Sequence, residues 1–102
     1  MYQLEFLPIA RQDMIDIARY ISNELGNPAA AYKLTDDMIE AAGKLMDFPY
    51  INAIYKSNMP LSKEFRKIIV KNYIMFYWVD EKDKLVTIAR IIYARRDYEK
   101  LL

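Results

Sequence analysis

The side chains best able to do chemistry are cations and phenols gathered on the C-terminal stretch Phe65 to Leu102. Arg66 and Lys67 open a first apolar run, Arg90 lies inside a third, and Arg95, Arg96 and Tyr98 follow its end. Groups of this kind suit an anion, because fixed positive charge and phenolic donors can stabilise charge on a phosphate or grip an acidic partner. Other chemistries are ruled out by composition. With no histidine and no cysteine, the chain lacks the commonest general acid/base, the commonest transition-metal ligand and any thiolate. A zinc site would need carboxylates alone, so no metal and no cofactor is expected. Gly26 and Gly43 are the only glycines, too few for a phosphate-cradling loop. The carboxylate pairs Asp36-Asp37 and Asp80-Glu81 fall where exposed helix faces and turns ordinarily put charge.

Regular elements must hold these side chains, and the apolar periodicity names them. Tyr2 to Leu7 alternates as a strand with Tyr2, Leu4 and Phe6 on one face. Pro8 suits the first turn of a helix, where its missing N–H costs little. Met14, Ile17, Ala18, Ile21 and Leu25 then recur at helical spacing as one buried stripe, stopped by Gly26. Asn27-Pro28 reads as N-cap and first turn of a second helix with the stripe Ala31, Leu34, Met38, Ala41, Ala42 and Leu45. The short connection between the helices predicts an antiparallel hairpin, and Phe48-Pro49 ends it. Tyr50 to Lys63 is irregular: a surface crossover, or one of the long loops that carry function.

Three strands follow, Phe65–Val70, Tyr73–Val79 and Leu85–Tyr93. Lys71-Asn72 is a tight turn in which Asn tolerates positive φ, and Asp80 to Lys84 makes the next turn. The fold expected is α+β: an N-terminal strand, a two-helix hairpin, then a three-stranded antiparallel meander with the helices packed on one face. The middle strand is apolar on both faces. Its far side meets solvent through aromatic rings or is covered by a partner. Alternation puts Arg66 with Ile68 and Val70, and Arg90 with Ile88 and Ile92. Arg90 must then pair with a carboxylate such as Glu5 or Asp97, or face a functional groove.

The 102 residues, 54% apolar and 14% aromatic, suit a single domain spanning 1–102 with its own core. No apolar run reaches the roughly 18 residues of a membrane span, and no ordinary signal peptide precedes the fold. A cytoplasmic protein is expected, without a membrane partner. A net charge of +1 from 15 basic and 14 acidic residues argues against a protein built mainly to grip nucleic acid.

The order of these segments resembles the RelE/ParE superfamily of type II toxin–antitoxin toxins. The likeness rests on Arg66, on Val70-Lys71-Asn72-Tyr73-Ile74-Met75-Phe76-Tyr77, on Ile88-Ala89-Arg90-Ile91-Ile92 and on Arg95-Arg96-Asp97. Upstream, the opening strand, the Pro8-Ile9-Ala10-Arg11-Gln12-Asp13 helix start and the Asn27-Pro28-Ala29-Ala30-Ala31 helix match the layout as well. The resemblance implies a small toxin neutralised by a cognate antitoxin that wraps its surface in a tight heteromeric complex. Operator DNA would be met only through that antitoxin. Two targets are implied: DNA gyrase for ParE-like members, the ribosome and its mRNA for RelE-like ones. If the chain is an enzyme, it is a metal-independent, ribosome-dependent endoribonuclease using Arg66, Arg95 and Tyr98. Lys67, Arg90, Arg96 and Tyr93 are the residues expected to bind target or partner. The nuclease pattern departs at Ile74, which stands where a cation would be wanted, and at Tyr93, near which other members carry histidine. The incomplete cation set, the missing histidine and the near-neutral charge favour gyrase inhibition; the alternatives are the ribonuclease and a non-toxic antitoxin-binding module.

Overall fold

The computed structural model describes all residues, 1–102. Strand β1 (Gln3–Phe6) leads into helix α1 (Pro8–Arg19), which runs on as a π turn over Tyr20–Glu24. Helix α2 (Pro28–Lys44) follows, then β2 (Arg66–Val70), β3 (Tyr73–Asp80), β4 (Leu85–Tyr93) and a final 3-10 turn, Tyr98–Leu101. The sheet has the order β1-β4-β3-β2, with β1 parallel to β4 and the other pairs antiparallel. No helix is long and apolar enough to cross a membrane.

Local chemistry explains most boundaries. Asn27 caps α2 by accepting the Ala30 N–H at 3.1 Å, and Pro28 fills a position that needs no donor. Gly26, at φ +62°, lets the chain reverse between the helices. The tight turn between β2 and β3 departs from expectation: the positive φ falls on Lys71, at 55°, and Asn72 carries none.

The helices cover one face of the sheet. Ala10, Leu34, Met38, Ala42 and Leu45 pack against Met75, Tyr77, Val86, Ile88 and Ile91, with Tyr2, Leu4 and Phe6 at the margin as the alternation of β1 predicts. Burial of each larger side chain contributes about 1.5–3 kcal/mol. Leu25 breaks the predicted stripe. The π turn takes one extra residue into the helix, with the Leu25 N–H reaching back to Tyr20 O, and this rotates Leu25 off the buried face to 59% exposure.

The far face is covered by the chain itself. Phe65, Ile74, Phe76, Ala89 and Ile92 form a second core beneath the 50–64 loop and the C-terminal turn. Tyr55 and Leu61 come from the loop, and Tyr98, Leu101 and Leu102 from the terminus. Neither aromatic exposure nor a partner is needed there. Glu99 clasps the two covering segments, accepting from the Tyr55 hydroxyl at 2.8 Å, the Ser57 hydroxyl at 3.0 Å and the Asn58 N–H at 3.3 Å.

A second carboxylate, Glu81, closes the opposite end. It accepts from the Tyr2 hydroxyl at 2.6 Å, the Tyr50 hydroxyl at 2.5 Å and the Lys84 ammonium. The Lys84 ammonium, then the two phenols, hold the Glu81 carboxyl down to about 2 from 4.5, while the hydrogen bond to Glu81 pushes the Tyr50 phenol up to about 12 from 10. A depressed carboxyl stabilises the fold above its unfolded value and loses that effect as pH falls through its folded value. Stability from Glu81 is therefore expected to disappear between pH 4.5 and 2, and that from Tyr50 between pH 10 and 12. Melting temperatures of wild type and Glu81→Gln should differ near neutrality and converge on acidification. A gap that stays constant down to pH 2 would sink this assignment.

Candidate binding groove and cationic edge

The predicted site residues do not converge. Arg66 lies on the helix side of β2 with Ile68 and Val70, as alternation requires, since it pairs with Tyr77 in register. Its guanidinium donates to Asn52 O at 2.6 Å and sits 5.0 Å from the Tyr50 ring centroid, so it ties down the crossover loop. Lys67 points to the opposite face, its ammonium 5.5 Å over the Tyr55 ring. Tyr98 packs its ring on Phe76 at 5.3 Å and Tyr55 at 5.8 Å, as part of the far-face cover. Burial first, then Glu99, pushes the neighbouring Tyr55 phenol up to about 12, so it stays a donor to that carboxylate. Ile74 is buried in the second core.

Arg90 is held inside the molecule, but by neither carboxylate anticipated for it. Glu5 instead accepts from Thr87 at 2.9 Å, and Asp97 pairs with Lys100 at 3.4 Å. The partner of Arg90 is Asp13 of α1, reached through Nε at 2.8 Å and Nη2 at 3.0 Å, with both side chains 14% exposed. A register irregularity between Phe76 and Tyr77 makes this possible. Tyr77 pairs with Ile88 and Phe76 with Arg90, leaving Ala89 as an extra residue, a β-bulge. The bulge separates Arg90 from Ile88: Ile88 stays in the helix-side core, and Ile92 joins the far one.

Past the bulge, β4 ends on an open edge. Tyr93, Arg95 and Arg96 are all exposed, and the ring of Tyr93 tilts against Tyr73 at 5.6 Å. Tyr93 and Arg96 line a groove of about 1190 Å³ that runs between this edge and the tip of the helical hairpin. Its helix wall carries Tyr20, Ile21 and Leu25, and its sheet wall carries Tyr73 and Ile91. Lys71 and Arg96 line it on the sheet side, and Asp13, Asp16 and Lys33 on the helix side. Burial, then the phenols of Tyr93 and Tyr20, pushes the Tyr73 phenol upward, so Tyr73 stays a neutral donor around physiological pH. The volume exceeds the roughly 300–1,000 Å³ of small-molecule sites, and the groove is mainly apolar, with both cations and carboxylates in its lining. It suits a segment of another chain.

Of the residues expected to bind, Arg96 and Tyr93 therefore share one site with Arg95 beside it, whereas Lys67 and Arg90 lie apart. Sequence reasoning missed Tyr20, Leu25, Lys71 and Asp13. Only the unassigned anion that Arg90 required was a signal, and nothing in local spacing pointed to Asp13.

Residues 4–98 match the family model described as the ParE toxin of the type II toxin–antitoxin system, parDE. No curated protein matches in sequence. Among solved structures, the fold is similar to the chromosomal ParDE system of Pseudomonas aeruginosa, with a TM-score of 0.74 and 22% identity over 93% of this chain and 98% of that one. It is also similar to the toxin–antitoxin complex RelBE2 of Mycobacterium tuberculosis, at a TM-score of 0.65 and 18% identity, covering 90% and 96% of the two chains. The isolated RelE toxin of E. coli matches at a TM-score of 0.55 and 20% identity, over 99% of this chain and 95% of its own. At these identities the likeness speaks for the fold.

Proposed function

The chain belongs to the ParE toxin family of type II toxin–antitoxin systems, and from that premise we propose that it inhibits growth by acting on DNA gyrase. The observation that carries the choice of target is the fate of the nuclease candidates. Arg66 is engaged by Asn52 and Tyr50, Tyr98 is packed on Phe76, and Ile74 is buried where RNA scission would want a cation. A 2′-hydroxyl attack needs a base, an acid and cations within reach of one phosphate. That constellation has no support here, while the edge of Tyr93, Arg95 and Arg96 stands open to a macromolecular surface. In this reading residues 1–102 act as one cytoplasmic domain without a cofactor.

The groove is the seat for a cognate antitoxin. Its apolar walls favour an amphipathic segment, and Lys71 and Arg96 on the sheet side, away from Asp13 and Asp16 of the helix side, favour acidic residues along that flank. Since that seat includes Tyr93 and Arg96, an antitoxin lying in it also shields the edge offered to the target, which accounts for neutralisation by simple occlusion. Operator DNA is reached only through the antitoxin.

The test uses purified protein in a gyrase supercoiling reaction, beside mapping of mRNA ends after induced expression. Loss of supercoiling with intact mRNA is expected. Specific mRNA cuts with gyrase activity untouched would replace this reading with the ribosome-dependent endoribonuclease, in which Arg95 is the exposed cation and Lys67 the half-buried one. Harmless expression without antitoxin would leave a binding module only.

A further inference from the structure

We infer that Asp13 is a positioning residue for the Tyr93–Arg96 edge, holding the free end of β4 in the arrangement that presents those side chains. The inference rests on the proposal that this edge meets the target. Strand β1 stops at Phe6 because Pro8 turns the chain into α1, and the last backbone bond from that side is Leu7 N–H to Ile88 O at 2.9 Å. From Ala89 onward β4 has β3 on one side and no strand on the other. A bulged strand end with one bare side should fray, since local opening concentrates where backbone pairing is thin. Yet the open residues begin only two positions past Ile91.

The Asp13 carboxylate stands in for the missing strand. One oxygen accepts the Ile91 N–H at 2.9 Å together with Arg90 Nε, while the other accepts Arg90 Nη2. Arg90 in turn donates to Leu101 O at 3.3 Å, so the same pair reaches the C-terminal turn. Beyond it, Ala94 N–H donates to Asn72 O at 2.8 Å and Arg96 N–H to Tyr93 O at 3.0 Å. The edge is thus anchored at both ends, to α1 through Asp13 and to the β2–β3 turn through Ala94. A buried ion pair gives little net stability, since desolvation offsets its attraction and apolar residues of similar size often do as well. What an apolar pair cannot do is direct three hydrogen bonds onto a bulge. Geometry is the property that the carboxylate supplies.

The experiment compares Asp13→Asn, the double variant Asp13→Leu with Arg90→Met, and Met38→Ala, a cavity in the helix-side core that leaves the Asp13–Arg90 pair in place. Each is assayed for gyrase inhibition at a temperature where circular dichroism shows it folded, and for amide exchange at Ala94 and Arg96. In Asp13→Asn the concentration for half-inhibition should rise roughly ten-fold or more, as expected for misplaced contact groups, with faster exchange at both amides. The apolar double variant should recover melting temperature without recovering inhibition, and Met38→Ala should inhibit like wild type. Recovery of inhibition in step with stability, or an equal loss in Met38→Ala, overturns the inference. Should wild type leave gyrase untouched, the target reading fails, and exchange alone decides: unchanged amides in Asp13→Asn then refute the positioning role.

Discussion

Replacing Phe76 with alanine is expected to cost about 3–5 kcal/mol, the range for deleting a buried aromatic ring. Phe76 is fully buried at the centre of β3, and its ring meets Tyr55 at 5.4 Å, Phe65 at 6.4 Å and Tyr98 at 5.3 Å. Against a typical total of about 5–15 kcal/mol, such a loss leaves little reserve. A chain of this size should melt roughly 12 °C lower or more. The loss should also be local in character. Tyr98 rests on Phe76, so the C-terminal turn loses its main aromatic shelf and depends on Tyr55, the Glu99 clasp, the Arg90 contact to Leu101 and the packing of Leu101 and Leu102. Under native conditions trypsin should therefore cut at Arg96 and Lys100 faster in Phe76→Ala than in Met38→Ala, whose cavity lies across the sheet. Equal cleavage in the two variants would show that the turn is held independently of the ring.

How far the architecture is legible in the residues depends on the range of the forces involved. The cap at Asn27, the stripe of α2 and the three C-terminal strands arise from contacts a few positions apart, and periodicity finds them. Leu25 shows where that stops: a π turn leaves no compositional mark, and one residue absorbed into the helix carries an apolar side chain from core to groove. Arg90 shows the same limit in charge. The sequence points to a carboxylate such as Glu5 or Asp97, but the sheet order brings α1 over β4, and Asp13 arrives from 77 positions away. The covering of the far face is likewise non-local, because Glu99 joins a loop and a terminus that share no pattern. For the site, Tyr93, Arg95 and Arg96 were legible as residue types at a strand end, and resemblance named the family they serve. The groove they border was not, since most of its wall belongs to the helical hairpin.

Charge reversal of the edge, Arg95→Glu with Arg96→Glu, is expected to abolish growth inhibition while leaving the fold alone. Both side chains are exposed beyond the end of β4, and substitutions at such positions usually change stability by no more than about 0.5 kcal/mol. Their effect on recognition should be far larger. Reversal turns two attractive charges into repulsive ones against any acidic surface, and like-charge juxtaposition at an interface costs several kcal/mol, on the order of a hundred-fold or more in affinity. Colony counts after induction should rise to those of an empty vector, with the melting temperature unchanged. Arg66→Ala separates this reading from the ribonuclease. Arg66 braces the crossover loop against Asn52 and Tyr50, so its removal should lower stability yet leave the purified, folded protein able to inhibit gyrase. A folded Arg66→Ala that has lost all toxicity, beside a double reversal that remains toxic, would move the working surface from the end of β4 to the start of β2. The antitoxin supplies an independent check on the same charges. Arg96 borders its groove and Arg95 does not, so Arg96→Glu alone should weaken the complex and flatten its salt dependence, while Arg95→Glu should spare it.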